Sequence, residues 1–401
     1  MQEYGISGES IICFAGEDWW YHHPHSKNHI LKRLAKQNKV LFINSITMGL
    51  PAASNPDFSA KIRRKLRSML RWLRRAPEGL WVMTPLSVPI YSNRFTRGLN
   101  RFLLLTQVKL VQLLLGMRQA VVWVAIPSAA EVIEGMDPKL LLYQVSDKYD
   151  ANRDSATAST LICEWDARLK RRADVVMYSG RKMYQESSEL HRYFLEQAVD
   201  FEHFANPSVE LAPELSSVPS PVLGYIGWMD YVMDGPLIQQ VVDLRPGWHW
   251  VFIGNKSNLF EVHGPNVHFL GPKPYGELPR YLRHIDVCVL PWHHDGFTSY
   301  GSAIKVKEYL ATGKPVVIAP LYEYADVEGV RTYHGTEDFI AQVEDALEND
   351  TSADRWRRQA AVRDSTWDAR ACEVGELITN LLGCNYHCLA EAQKLAATRQ
   401  V

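Results

Sequence analysis

Tyr300-Gly-Ser-Ala-Ile-Lys305-Val-Lys-Glu308-Tyr-Leu-Ala-Thr-Gly313-Lys-Pro315-Val-Val-Ile-Ala319 reads as a helix, a glycine stop and a buried strand. The helix opens after the Ser299 to Ser302 cluster. Gly313 stands where a C-cap belongs, and Pro315 follows two residues later. Val316 to Ala319 is a short apolar run suited to a parallel strand. A lysine at a helix N-terminus suits a phosphate, because free N–H groups and the helix dipole both favour an anion there. Glu308 lies three residues past Lys305, on nearly the same face, where a carboxylate accepts hydrogen bonds from a ribose diol. The pair reads either as a surface ion pair or as a site for a nucleoside diphosphate, with Ser302 at the helix entrance.

Upstream of this stretch the pattern is the same. Strands are expected at Val222–Ile226, Trp248–Ile253, Val267–Leu270 and Val287–Leu290, with helices at Leu237–Leu244 and Gly276–His284. The first half repeats the scheme. Its expected strands are Ser10–Ala15, Val40–Asn44, Leu80–Thr84, Ala120–Ala125, Leu140–Gln144 and Val175–Tyr178; helices are expected at 28–37, 61–75, 97–116, 128–134 and 157–172. Between the halves, residues 205–221 hold four prolines and four serines. The chain therefore divides into 1–205, a linker 206–221, a second α/β unit 222–365, and a helical segment 366–401 that can pack back on the first unit. Parallel α/β halves bind ligands beyond the carboxyl ends of their strands, so the cleft between them is the expected site.

The 401 residues exceed one ordinary domain. Net charge is −1, yet residues 1–200 carry 28 Lys+Arg against 19 Asp+Glu, whereas 201–401 carry 16 against 26. This asymmetry points to an anionic partner for the first half. Six scattered cysteines fit a reducing compartment rather than a disulfide framework. No signal-peptide pattern is seen at the N-terminus. The apolar stretch 102–116 contains Thr106, Gln107, Lys109 and Gln112 and reads as too short and polar to span a bilayer. No metal is expected, since neither the Cys384/Cys388 region nor the histidines after the first strand have a ligand spacing.

Five segments in order carry a resemblance: Gly224-Tyr-Ile-Gly227, Trp250-Val-Phe-Ile-Gly254, Asn266 to Gly271 with Tyr275-Gly-Glu-Leu-Pro, Asp286 to Pro291, and Lys305 to Val317. Together they resemble the nucleotide-sugar-binding half of GT-B glycosyltransferases. Trp123 to Pro127, Leu142 to Asp147, Glu164 with Ala173-Asp-Val-Val, and Asp200 to Phe204 resemble the acceptor half of bacterial exopolysaccharide glycosyltransferases, such as the xanthan glucuronosyltransferase. The resemblance implies an α/β GT-B fold, with two Rossmann-like domains facing each other across a cleft. It implies Lys305 on the diphosphate, Glu308 on the ribose, Gly227 allowing close approach of the phosphates, and Asp147 as general base. Two features depart from the family. Gly301 stands where many family-4-like retaining enzymes have a glutamate, and no basic residue follows Gly227, leaving Lys256 as a substitute. Stereochemistry stays open.

Sugar transfer requires stabilisation of the leaving diphosphate, removal of the acceptor's proton and exclusion of water. Lys305 serves the first without a metal or cofactor; the nucleoside-diphosphate sugar is a substrate. Asp147 serves the second or caps a short helix, with Glu17 or Asp18 as alternative bases. Trp19, His22 and His25 suit an acceptor sugar. Tyr275 and Trp292 either contact the donor or pack beneath loops. Lys61 to Arg75 holds eight basic residues and no acid, with apolar residues at helical spacing. It reads as an anionic-membrane-binding helix or as a solvated basic face; no base-reading motif points to nucleic acid. The expected activity is transfer of a sugar, from UDP in preference to GDP, to a lipid-linked or polysaccharide acceptor at the cytoplasmic membrane face. A sugar-nucleotide epimerase of the same fold and a non-catalytic nucleotide-sugar-binding scaffold remain alternatives. The missing Gly-x-Gly-x-x-Gly disfavours an NAD enzyme.

Overall fold

A computed structural model describes residues 3–46, 67, 72–91, 93–151, 160–206 and 210–383. β1 (Ser10–Phe14), β2 (Lys39–Ile43), β3 (Leu73–Arg75), β4 (Trp81–Met83), β5 (Val121–Val124), β6 (Leu140–Val145), β7 (Val175–Tyr178) and β8 (Arg192–Phe194) form one sheet. Its order is β3-β4-β2-β1-β5-β6-β7-β8, parallel throughout except where β3 runs antiparallel to β4. β9 (Val222–Ile226), β10 (His249–Ile253), β11 (Val267–Phe269), β12 (Val287–Leu290), β13 (Val316–Ile318) and β14 (Val330–Thr332) form a second, wholly parallel sheet, ordered β11-β10-β9-β12-β13-β14.

Both sheets are covered on both faces, which explains their unbroken apolar strands. In β1, Ile12 and Phe14 enter one core and Ile11 and Cys13 the other, because successive side chains alternate. Each such buried aliphatic chain contributes about 1.5–3 kcal/mol. The helix Trp367–Gly383 sends Trp367, Ala371, Val374 and Ile378 into the core containing Ile11 and Cys13, so the end of the described chain lies on the first sheet.

Two expectations need correction. Most of 61–75, the proposed membrane helix, lies outside the described residues, but Leu73–Arg75 is strand β3 rather than helix. Pairing explains it: Leu73 faces Met83 and Arg75 faces Trp81, while Trp72 donates to the Gln107 side chain at 3.2 Å. The helix expected at 97–116 runs Arg94–Leu115 and is, in length and composition, apolar enough to cross a membrane. Only one of its faces is in the core: Asn100, Leu104, Val108 and Val111.

Candidate functional site

Strand order reverses at β9, which has β10 on one side and β12 on the other. The loops beyond the carboxyl ends of these strands converge on Lys305. Gly227 leaves β9 at φ 149° and Gly254 leaves β10 at φ 140°. A Cβ on Gly227 would overlap the Lys305 ammonium, and one on Gly254 would overlap the Gly227 carbonyl, so side chains are barred from this approach. The helix Ile304–Thr312 begins without a side-chain cap. Its Lys305 donates to the Tyr225 hydroxyl at 2.9 Å. The ammonium lies 4.5 Å from the Tyr225 ring centre and 5.2 Å from that of Trp292. The Tyr225 hydroxyl in turn donates to the Trp228 carbonyl at 2.9 Å. A charge held by two aromatic faces and one hydroxyl is oriented, not neutralised.

Buried polar atoms without partners cluster here. The Trp292 indole N–H has no hydrogen-bond partner among the described residues. Nor has the Ser302 hydroxyl, whose neighbour Tyr324 donates to the Ala303 carbonyl at 2.6 Å. The Glu308 carboxyl makes no hydrogen bond to a described residue, and burial pushes it up to about 7 against the pull of Lys305, with Asp200 raising it further. Lys256 is placed differently. Its backbone bridges to Met229 beside the Gly227 loop, but its ammonium lies 4.7 Å from the Phe269 ring centre rather than at Lys305.

Tyr275 joins the two halves. Its hydroxyl donates to Asp200 at 3.3 Å, and its ring stacks on His203 with centres 5.2 Å apart. Asp200 also receives Arg33 at 3.0 Å and lies 3.3 Å from His29 Nδ1. Burial works against the Asp200 carboxylate, but contact with His29 and the charges of Lys32 and Arg33 hold it well below the usual range.

Across the cleft, Asp147 follows β6 and is exposed, with no hydrogen bond to a described residue. Protein packed around its carboxyl raises it, while the Lys27 charge lowers it. Beneath it, the buried Gln144 bonds Trp123 at 3.1 Å, Ser26 at 3.1 Å and Ser179 at 3.0 Å, fixing the end of the strand. Glu17 is buried in an ion pair with Lys27 at 2.9 Å. Asp18 accepts from the Trp20 N–H at 3.0 Å, and its own N–H donates to His22 at 2.8 Å. Trp19 packs edge-on against Phe42 at 4.9 Å. His25 precedes the helix Ser26–Leu34, its N–H donating to Asn28 at 3.0 Å. Neighbouring protein and the Lys27 charge push its imidazole down. Glu17, Asp147 and His25 thus surround Lys27, whereas Trp19 turns into the core.

The residue after the proposed base reaches the donor half. Lys148 donates to the Tyr300 hydroxyl at 3.1 Å, and that hydroxyl donates to Glu186 at 2.7 Å. Lys148 and Lys182 lie 4.2 and 4.3 Å from the Tyr300 ring centre. Sequence reasoning assigned no role to Tyr225, Asp200, Lys148 or Tyr300. Tyr225, Asp200 and Tyr300 stood inside quoted stretches, but partners so distant in sequence left no periodic signal for their contacts or for that of Lys148.

Residues 220–349 match the family model described as Glycosyl transferases group 1. Over 94% of its length, the chain superposes on the whole of a sucrose-phosphate synthase from Thermosynechococcus elongatus, with TM-score 0.70 and 13% identity. This is the GT-B fold. Anabaena HepE in complex with UDP and glucose shares the fold, with TM-score 0.64 and 12% identity over 93% of this chain and 99% of that one. By sequence the chain is 25% identical to TuaH of Bacillus subtilis, named for teichuronic acid biosynthesis as a glycosyltransferase. That match covers 57% of this chain and 64% of TuaH, less than two thirds of the relative's length.

Proposed function

We propose that this GT-B protein is a glycosyltransferase that moves a sugar from a nucleoside-diphosphate donor to a lipid-linked or polysaccharide acceptor in cell-surface glycan synthesis. The observation that carries this reading is the Lys305 ammonium, held between Tyr225 and Trp292 at an uncapped helix start, against the bare backbone of Gly227. A diphosphate there receives the lysine charge and the free N–H groups together. Glu308 accepts the ribose hydroxyls, and the unpartnered Trp292 N–H and Ser302 hydroxyl are further donors. UDP is the favoured nucleotide, a choice supported by the presence of UDP in HepE. Asp147 is the base, set across the cleft with its carboxyl raised, and it takes the acceptor hydroxyl's proton as the sugar–phosphate bond breaks. Glu17, tied to Lys27, is less free to act. The protein works at the cytoplasmic face of the membrane, where such acceptors are made.

Calorimetric titration with UDP, GDP, ADP and dTDP tests the donor site. UDP is expected to bind most tightly, and Lys305→Ala to weaken it at least about tenfold, the scale of one charge-assisted hydrogen bond. Absence of binding to any nucleotide, by protein shown to be folded, would overturn the reading. Asp147→Asn separates catalysis from binding. UDP affinity should stay unchanged, while transfer of labelled sugar to membrane lipid extract falls by about 10²–10⁴-fold, the usual contribution of a general base. Undiminished transfer would remove Asp147 from the mechanism.

A further inference from the structure

The helix Arg94–Leu115 has one face more apolar than its fold requires. Asn100, Leu104, Val108 and Val111 recur at helical spacing and fill the contact with the sheet. On the opposite side Phe95, Phe102 and Leu113 are 81%, 67% and 76% exposed, flanked by the exposed Leu99, Leu110 and Leu114. Phe95, Phe102 and Leu113 fall within a few tens of degrees of one another at 100° per residue, so they form a single stripe along the helix. Scattered exposed leucines are ordinary, but a continuous apolar stripe marks a contact surface.

Charge decides what covers it. The helix contains no aspartate or glutamate, and Arg94, Arg101 and Lys109 are all exposed on it, with Arg118 just beyond. Among the described residues, Arg97 pairs with Glu131 at 3.1 Å, and no ion pair is formed by Arg94, Arg101 or Lys109. An apolar stripe edged by cations matches an anionic lipid surface, whose acyl region takes the aromatic rings and whose headgroups take the cations. A basic segment of the same chain is repelled by those arginines, which disfavours Lys61 to Arg75 as the cover. A spanning orientation is excluded, because it would strip Leu104, Val108 and Val111 from the core.

We infer that Arg94–Leu115 lies in the plane of an anionic bilayer and seats the first domain on it. This inference deepens the membrane-facing reading above and moves its main contact from the 61–75 segment to this helix. The juxtaposition also orients the molecule. Gln107, beside the buried face at mid-helix, accepts from the Trp72 indole at 3.2 Å, so the chain leaving the basic run is fastened to the same helix.

Co-sedimentation of the full chain with vesicles of neutral phosphatidylcholine, alone or with anionic phosphatidylglycerol, tests this. Binding to the anionic vesicles should weaken with salt, and Phe102→Glu together with Leu113→Glu should reduce it at least about tenfold, as expected for burying charge where rings were inserted. These positions are exposed, and circular dichroism and UDP binding check that the variant is folded. A protein that binds UDP but neither vesicle overturns the inference alone; one that binds vesicles but no nucleotide overturns only the donor reading. Vesicle binding unaffected by the double substitution transfers the contact elsewhere and overturns it. So does sedimentation as a dimer that the substitutions dissociate, which would make a second copy the occupant.

Discussion

Glu308 carries two opposed pH dependences. Its carboxyl is raised to about 7 in the folded protein, so between the ordinary carboxylate range and pH 7 the folded state holds a proton that the unfolded chain has lost. Stability from this group is therefore present at low pH and is lost as pH rises to 7. Ribose hydroxyls donate to the ionised form, so donor affinity should move the other way. UDP affinity is expected to increase several-fold between pH 6 and pH 8, read by calorimetry, with Glu308→Gln flattening the profile and removing the acid-side stability gain in urea titrations. An unchanged profile in the variant would assign the dependence to another group. The sequence showed Lys305 and Glu308 because a helix start and its i, i+3 spacing are local. It was silent on Tyr225 as the lysine's holder, because that contact joins residues 80 positions apart.

Among elements, the helix Trp367–Gly383 reaches the site through a chain of side-chain contacts. Trp367 is fully enclosed and stacks on His29 at 4.7 Å, and His29 touches Asp200, which bonds Tyr275. Trp367→Ala leaves a cavity in the first domain's core and is expected to cost about 3–5 kcal/mol in urea unfolding. It should also weaken UDP binding a few-fold by loosening Tyr275; a change in stability with no change in binding would uncouple the two. Buried strands such as Val175–Tyr178, Val222–Ile226 and Val287–Leu290 were legible at their true limits, as apolar runs with turn residues at both ends. The edge strands Arg192–Phe194 and Val330–Thr332 were not, because three residues with none fully buried establish no period. Leu73–Arg75 misled for a related reason. Its leucine continued a helical spacing, whereas hydrogen bonds to Trp81–Met83 decide its conformation.

At the scale of the whole molecule, Tyr300 bridges the two halves. It sits between Lys148 and Lys182 and donates to Glu186, while nearby Tyr322 donates to Gln185 at 2.6 Å and Glu323 accepts from the Arg181 N–H at 2.7 Å. Tyr300→Ala should favour the open form, raising the radius of gyration in small-angle scattering and raising KM for donor more than it lowers kcat; an unchanged scattering profile would show that Tyr300 does not restrain opening. On the far side the chain passes between the halves twice, and the two passages are bonded together. Val199 donates its N–H to Ser365 at 2.9 Å, and Lys307 donates to the Gln197 carbonyl at 2.6 Å and to the Ser365 hydroxyl at 2.8 Å. Two joined strands resist twist in a way that a single tether cannot. Relative motion of the halves is therefore expected to follow one axis, like a door on two pins, so that each closing returns Lys148 to the same tyrosine.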